Sequence, residues 1–167
     1  MPGSYRYCPE CAAPLENRII HEQQRQACPR CAFIHWRNPV VGVAVIVQRG
    51  AMIILGKRAR GVYQNAWCIP CGYVEYGEDV RVAAVREFGE ETGLTVELGD
   101  VYAVHSNFHN PALHSVGIWF RGEIRSGTIR TDDDLAEVEW FSLHQLPEKI
   151  AFETDRKVLT QLREELE

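Results

Sequence analysis

Four cysteines within the first 31 residues constrain this chain more than any other feature. They fall as Cys8-Pro9-Glu10-Cys11 and Cys28-Pro29-Arg30-Cys31, two CxxC pairs with sixteen residues between them. That spacing suits a tetrahedral four-thiolate zinc site. Each pair sits at a tight turn, so four sulfurs can converge while the intervening residues make a hairpin-like excursion. A segment of about thirty residues with few large apolar side chains cannot bury enough surface to fold alone, and metal binding supplies the missing free energy. Residues 1–37 are therefore predicted to be a small β zinc ribbon held by Cys8, Cys11, Cys28 and Cys31. Four cysteines fill the coordination sphere, which makes the Zn²⁺ structural rather than catalytic. A redox pair or chance spacing is the weaker alternative.

Residues 38–167 have the length and apolar content of one well-buried domain. Ile34 to Pro39 reads as a connector, broken at Asn38-Pro39. The β-branched run Val40 to Val47 reads as a strand that turns at Gln48-Arg49-Gly50 into a second, Ala51 to Leu55. Leu94 to Val104, Val116 to Ile124 and Val138 to Phe141 are further strands. From Asp155 to Leu166 the apolar positions Val158, Leu159, Leu162 and Leu166 have helical spacing. No run of about eighteen apolar residues occurs, and the start from Met1 to Arg6 resembles neither a secretory signal nor a transit peptide. A cytoplasmic protein is expected. The net charge of −5 opposes attachment to nucleic acid or to anionic membrane.

Chemistry concentrates in the stretch from Gly72 to Leu94. Residues Asp79 to Thr92 have helix-forming composition and a stop at Gly93, where glycine can take positive φ. At about 100° per residue, Val82, Val85 and Phe88 occupy one arc and Glu87, Glu90 and Glu91 a nearly opposite one. Ala83, one turn before Glu87, is expected to leave the acidic face open to a bulky ligand. Like charges at i,i+3 and i,i+4 destabilise a helix, and anions in its last turn face the negative end of the macrodipole. A solvated acidic face gives no reason for that arrangement, whereas a bound cation does. All-oxygen ligands suit Mg²⁺ or Mn²⁺, with water and substrate phosphate completing the octahedron. Arg86 can pair with Glu78 or Glu90 and orient the carboxylates.

From Gly72 to Leu94 the chain resembles the Nudix signature, Gx5Ex7REUxEExGU with U a bulky apolar residue, without a departure. The flanks Trp67 to Cys71, Glu137 to Phe141 and Leu146-Pro147 are also similar to that family. The resemblance implies an α+β fold, a mixed β-sheet sandwiched between helices, preceded here by the ribbon. It implies metals held by Glu87, Glu90 and Glu91 with the carbonyl of Gly72, and catalytic roles for these glutamates together with Arg86 and Glu78. It also implies attack of water on phosphorus, so that a nucleoside diphosphate linked to X yields a nucleoside monophosphate and phosphorylated X.

A ribbon before such a domain resembles hydrolases of NADH, ADP-ribose or FAD. The NADH marker SQPWPFPxS is replaced here by the segment His105 to Ser115, and the proline that marks ADP-ribose enzymes has an approximate counterpart in Pro111. The expected partner is a nucleotide-type small molecule, with a homodimer as a possible assembly and neither nucleic acid nor membrane. Arg58, Phe108, Asp134 and Glu137 are candidates for substrate contact or for the general base, although Asp132-Asp133-Asp134 equally suits an exposed turn. Tyr63, Phe108 and Trp119 could stack a base, but aromatics in strands are more often core. His105, His109 and His114 match no metal spacing and read as solvated.

Two other classes compete. Trp67-Cys68-Ile69-Pro70-Cys71 is one residue from the thioredoxin pattern WCGPC, which would make Cys68 and Cys71 a disulfide oxidoreductase pair. A redox cysteine wants a helix N-terminus that lowers its pKa, yet a loop with two glycines follows, so both cysteines read as packing residues. Alternatively the ribbon, with five arginines against three glutamates, is a binding module on an inactive domain. That reading is opposed by the intact carboxylate set.

Overall fold

The computed structural model describes residues 5–131 and 134–167. In the ribbon, β1 (Glu16–Ile20) and β2 (Gln23–Ala27) form an antiparallel hairpin. Its two-residue turn, His21 and Glu22, has φ of 50° and 62°, the double positive φ that matches the twist of a tight hairpin. The expected connector after Phe33 is partly strand. Ile34–His35 form β3, paired with Gln26 and Ala27, because the edge of β2 offers unpaired backbone groups that a short extended segment can satisfy.

The larger sheet is built around β4 (Val40–Arg49) and β5 (Met52–Arg58). These two are bonded to each other only beside their turn, at Gln48 with Ile53 and Arg49 with Met52. Beyond it they separate, and the segment between holds two strands that the sequence does not announce. β6 (Trp67–Cys68) pairs with β5, and β7 (Cys71–Tyr73) pairs with β4. Pro70, which has no N–H to donate, crosses the gap and its carbonyl accepts from the Val45 N–H at 3.1 Å. β8 (Leu94–Asn107), β9 (Ser115–Gly127) and β10 (Leu135–Ser142) complete the order β10-β5-β4-β9-β8. The β4–β9 pair is parallel and its neighbours are antiparallel, so the sheet is mixed.

Period-two alternation along β4 assigns its two faces. Val43, Val45 and Val47 pack with Ala83, Ala84 and Phe88 of α1 (Val80–Thr92). Ala44 and Ile46 pack with Val158, Leu159 and Leu162 of α2 (Glu153–Glu164). The helices therefore lie on opposite faces of the sheet. The longer of them has 13 residues, and among the described residues no helix is long and apolar enough to cross a membrane.

α1 ends at Gly93 as expected and begins one residue later than expected, with Asp79 as its cap. The Asp79 carboxylate accepts from the N–H groups of Arg81 and Val82, and Gly93 at φ 71° closes the C-terminus. A side chain at Gly93 would also run into the Thr128 carbonyl oxygen, at 2.7 Å. The buried face differs from expectation. Val82 is exposed and Ala83 is fully buried. Two adjacent alanines let the helix approach the sheet closely, which turns Ala83, Ala84 and Phe88 inward and Val82 outward. Ala83 thus opens nothing to a ligand.

Candidate active site

That rotation of α1 grades its three glutamates. Glu91 is buried at 7 % exposure, the Glu87 side chain is 20 % exposed and that of Glu90 is 58 % exposed. Glu87 and Glu91 line a cavity of about 680 Å³, together with Gly72, Arg58, Asp134 and His109. Glu90 is not in that wall. Gly72, on β7, lies directly against the Glu87 carboxylate, so that a Cβ there would overlap its carboxyl carbon and oxygen. Any larger residue there would push the Glu87 carboxylate from this position.

The carboxylates are tied together by one cation. Arg86 donates from Nε and Nη2 to the two Glu78 oxygens, each at 2.8 Å, and from Nη1 to Glu87 at 2.8 Å and Glu90 at 3.2 Å. These bonds, with one from the Glu75 N–H, hold Glu78 down to about 2. Glu91 has no such partner. Burial pushes it up to about 8, against the opposing hydrogen bond from the Cys71 N–H at 2.8 Å and with the Glu87 charge adding to the rise. Two hard carboxylates in one wall, one of them buried beside its neighbour's charge, form a donor set that a divalent cation would stabilise. The pair fits Mg²⁺ or Mn²⁺, while Glu90, outside the wall, bonds Arg86 through one oxygen at 3.2 Å.

The ribbon cysteines fit zinc more directly. Among the described residues, Cys8, Cys11, Cys28 and Cys31 form the cluster whose ligand atoms all lie within 4.8 Å of one another. Cys8 and Cys31 sulfurs are 3.5 Å apart and those of Cys11 and Cys28 3.4 Å, near the edge of about 3.8 Å that a tetrahedron with ~2.3 Å bonds requires.

The remaining candidates separate cleanly. Arg58, at the end of β5, lines the cavity and stands 5.5 Å from the centre of the Phe152 ring. Asp134 lines it too and accepts from Arg60 at 2.6 and 2.9 Å; Asp132 and Asp133 lie outside the described residues. Glu137 and Phe108 are not in the wall. Glu137 pairs with Lys57 at 2.8 Å on the β10–β5 ladder, and Phe108 is exposed with its ring against His114. Trp119 is core, 4 % exposed, and Tyr63 is half-buried and faces the cavity. His109, read as solvated, is instead a wall residue.

Asp155 is the residue that the sequence concealed. It looks like any acidic residue in the first turn of an amphipathic helix, but it is 1 % exposed. Its oxygens accept from the Ile69 N–H at 3.0 Å and Trp119 Nε1 at 3.1 Å. Burial outweighs those two bonds and pushes it up to about 7. Cys68 and Cys71 sit on β6 and β7, and the next helix begins seven residues beyond Tyr73, at Val80. The hydrogen bond with Cys68 and burial push the Cys71 thiol well up, the reverse of what a redox thiolate needs.

The carboxylate-bearing loop, helix and sheet can be compared with known proteins. The profile described as NUDIX domain matches residues 36–162, and that described as Nudix N-terminal, a zinc ribbon, matches 6–37. The chain belongs to the Nudix hydrolase family. It is an enzyme of the pyrophosphohydrolase type, with the α+β fold of that family. It is 34 % identical over 127 residues to an ADP-ribose pyrophosphatase of Methanocaldococcus jannaschii, covering 75 % of each chain. An NAD-capped RNA hydrolase, NudC, of Pseudomonas aeruginosa is 33 % identical over 146 residues, 85 % of this chain and 49 % of the relative. This Nudix chain thus spans about half the length of the NudC relatives it matches. A NUDIX hydrolase from Nitrosomonas europaea superposes with a TM-score of 0.85 at 30 % identity, over 96 % of this chain and 92 % of that one.

Proposed function

We propose that this Nudix hydrolase splits the diphosphate bond of a nucleoside diphosphate linked to a second group, giving a nucleoside monophosphate and a phosphorylated product. ADP-ribose is the representative substrate. The observation that carries the reading is the pairing of Glu87 and buried Glu91 in the wall of a cavity of about 680 Å³, against Gly72. A cavity of that size accommodates a dinucleotide-like molecule. The 34 % identity to the archaeal ADP-ribose pyrophosphatase supports the substrate class, as does Pro111 in the cavity wall. Other relatives bear the name of NAD-capped RNA hydrolases, so the substrate class includes a diphosphate at the end of an RNA.

Glu87, Glu91 and the Gly72 carbonyl would hold Mg²⁺ or Mn²⁺, with Glu90 as a further ligand. When bound, the cation neutralises charge on the diphosphate and acidifies the attacking water. Arg58, in the same wall and close enough for its charge to act on Glu91, would contact a phosphate. Asp134 receives the proton of the attacking water, with Arg60 fixing its orientation. Arg86 and Glu78 position the glutamates rather than touch substrate. Residues 1–37 form a separate ribbon on structural Zn²⁺, and residues 38–167 carry the chemistry.

A panel of ADP-ribose, NADH, FAD, diadenosine polyphosphates, nucleoside triphosphates and NAD-capped RNA, assayed with Mg²⁺ and with Mn²⁺, tests this. Release of a nucleoside monophosphate from ADP-ribose with the highest kcat/KM is expected. Preference for nucleoside triphosphates with release of inorganic pyrophosphate would overturn it.

A further inference from the structure

Three rings from three separate segments meet at one part of the cavity. Tyr63, in the loop after β5, and Phe152, at the N-terminus of α2, have centroids 5.3 Å apart. His109, in the β8–β9 loop, lies 5.4 Å from each of them. All three line the cavity. An ordinary aromatic core cluster closes on itself, but here Tyr63 and Phe152 are only half-buried and His109 is exposed. The rings leave surface available to something flat.

A second, independent feature lies beside them. Thr154, the second residue of α2 and also in the wall, is 4 % exposed, and among the described residues its buried Oγ1 has no hydrogen-bond partner. A buried hydroxyl with no partner is costly, and a ligand with a polar edge would satisfy it. The Arg58 guanidinium joins this corner to the glutamates. It stands over Phe152, its charge acts on His109, and the same charge acts on Glu91 and Asp155. Burial and Arg58 both lower the His109 pKa, which favours a neutral ring for stacking. The Asn107 side-chain oxygen can only accept, so it receives a hydrogen bond from the His109 Nδ1–H tautomer and fixes that ring.

Resting on the functional reading above, we propose that Tyr63, His109 and Phe152 are the nucleobase subsite of the substrate. The Thr154 hydroxyl meets the base edge, and Arg58 spans from that subsite to the phosphate next to it. A planar heteroaromatic ring matches three ring surfaces and one unpaired hydroxyl. A terminal sugar would instead call for several hydrogen-bonding groups, and the rings offer few. Discrimination among diphosphates is therefore made at this corner, away from the glutamates.

The test measures binding of AMP and of ribose 5-phosphate, which share the phosphorylated ribose and differ by the base, to the full chain by calorimetry or NMR. Wild type is expected to bind AMP at least about tenfold more tightly. Phe152→Leu and His109→Ala should each narrow that gap severalfold, and Thr154→Val should narrow it less. Melting temperatures confirm that the variants are folded. A merely structural role would weaken both ligands in parallel and leave the ratio unchanged, which would overturn the assignment, as would equal binding of the two ligands by wild type. Turnover of ADP-ribose is scored separately. Failure there with AMP still preferred breaks the functional reading and leaves the subsite standing.

Discussion

The ribbon and α1 each gather several metal-competent side chains, but they gather them differently. In the ribbon, four sulfurs from two tight turns lie within 4.8 Å of one another. On α1, Arg86 lies between Glu87 and Glu90, and Glu91 is buried behind them. Two CxxC turns bring the cysteine sulfurs together, and among the described residues no charged side chain stands between them as Arg86 does between the glutamates. Glu87 and Glu90 are held by a cation of the protein's own, part of which metal and substrate would have to replace under the proposed function. Convergence goes with a closed, structural site, and a pre-neutralised cluster goes with one that must open to a ligand.

The largest expected effect lies in the ribbon. Cys28→Ser should release zinc and unfold residues 1–37, since metal binding to such modules is worth about 10 kcal/mol or more of folding free energy. Zinc content and the ribbon's NMR signals report this, and turnover should survive in part. Zinc retained at full stoichiometry would erase the contrast between the two sites.

Next in size is the loss at the glutamates. Glu87→Gln or Glu91→Gln should lower turnover by about a hundredfold or more with Mg²⁺ present, while zinc content stays at wild type. Glu90→Gln should cost less, because Glu90 stands outside the cavity wall. Equal losses at all three positions would mean that the cluster contracts fully around the metal.

Asp155 offers a smaller and pH-dependent effect. Its folded-state pKa, about 7, lies above the ordinary aspartate value of 3.8. Its contribution to stability is therefore fully present below about pH 4 and is lost as pH rises through 7. Asp155→Asn should remove that slope from the melting temperature. It should also cost about 1–3 kcal/mol, because an amide NH₂ would face either the Ile69 N–H or the Trp119 Nε1–H. An unchanged slope would show that Asp155 is ionised throughout. The smallest effect is that of Glu90→Gln on stability without metal. Relief of repulsion from Glu87 and loss of an exposed bond to Arg86 nearly cancel, leaving a change within about 0.5 kcal/mol.

These predictions mix residues that could be read from sequence with residues that could not. The four-cysteine cluster, the Gly93 end of α1 and the acidic signature on that helix were legible because spacing and residue type alone specify them, whereas the Asp79 cap was not read. So were β4, β5, β8, β9, β10 and α2, each a long segment with strong apolar patterning. β6, β7 and β3 were not, because two or three residues carry no periodicity and pair only where a longer strand offers an open edge. Asp155, His109 and Thr154 were hidden for a related reason. Each is polar and ordinary in its local setting, and acquires meaning only when α2 and the β8–β9 loop arrive at the same cavity. The outward turn of Val82 needed the packing of Ala83 and Ala84 against the sheet, which hydrophobicity alone does not rank.

The contact between Gly72 and Glu87 also sets how this gene can vary. Every amino-acid replacement of Gly72 adds at least a Cβ, and that atom lands inside the Glu87 carboxylate. The smallest substitution, alanine, thus already forces the end of the Glu87 side chain to move, so its effect falls on where that carboxylate sits rather than on the strand. In a saturation library selected for activity, this codon should accept far fewer replacements than an exposed position such as Val62, and those that survive should be the smallest.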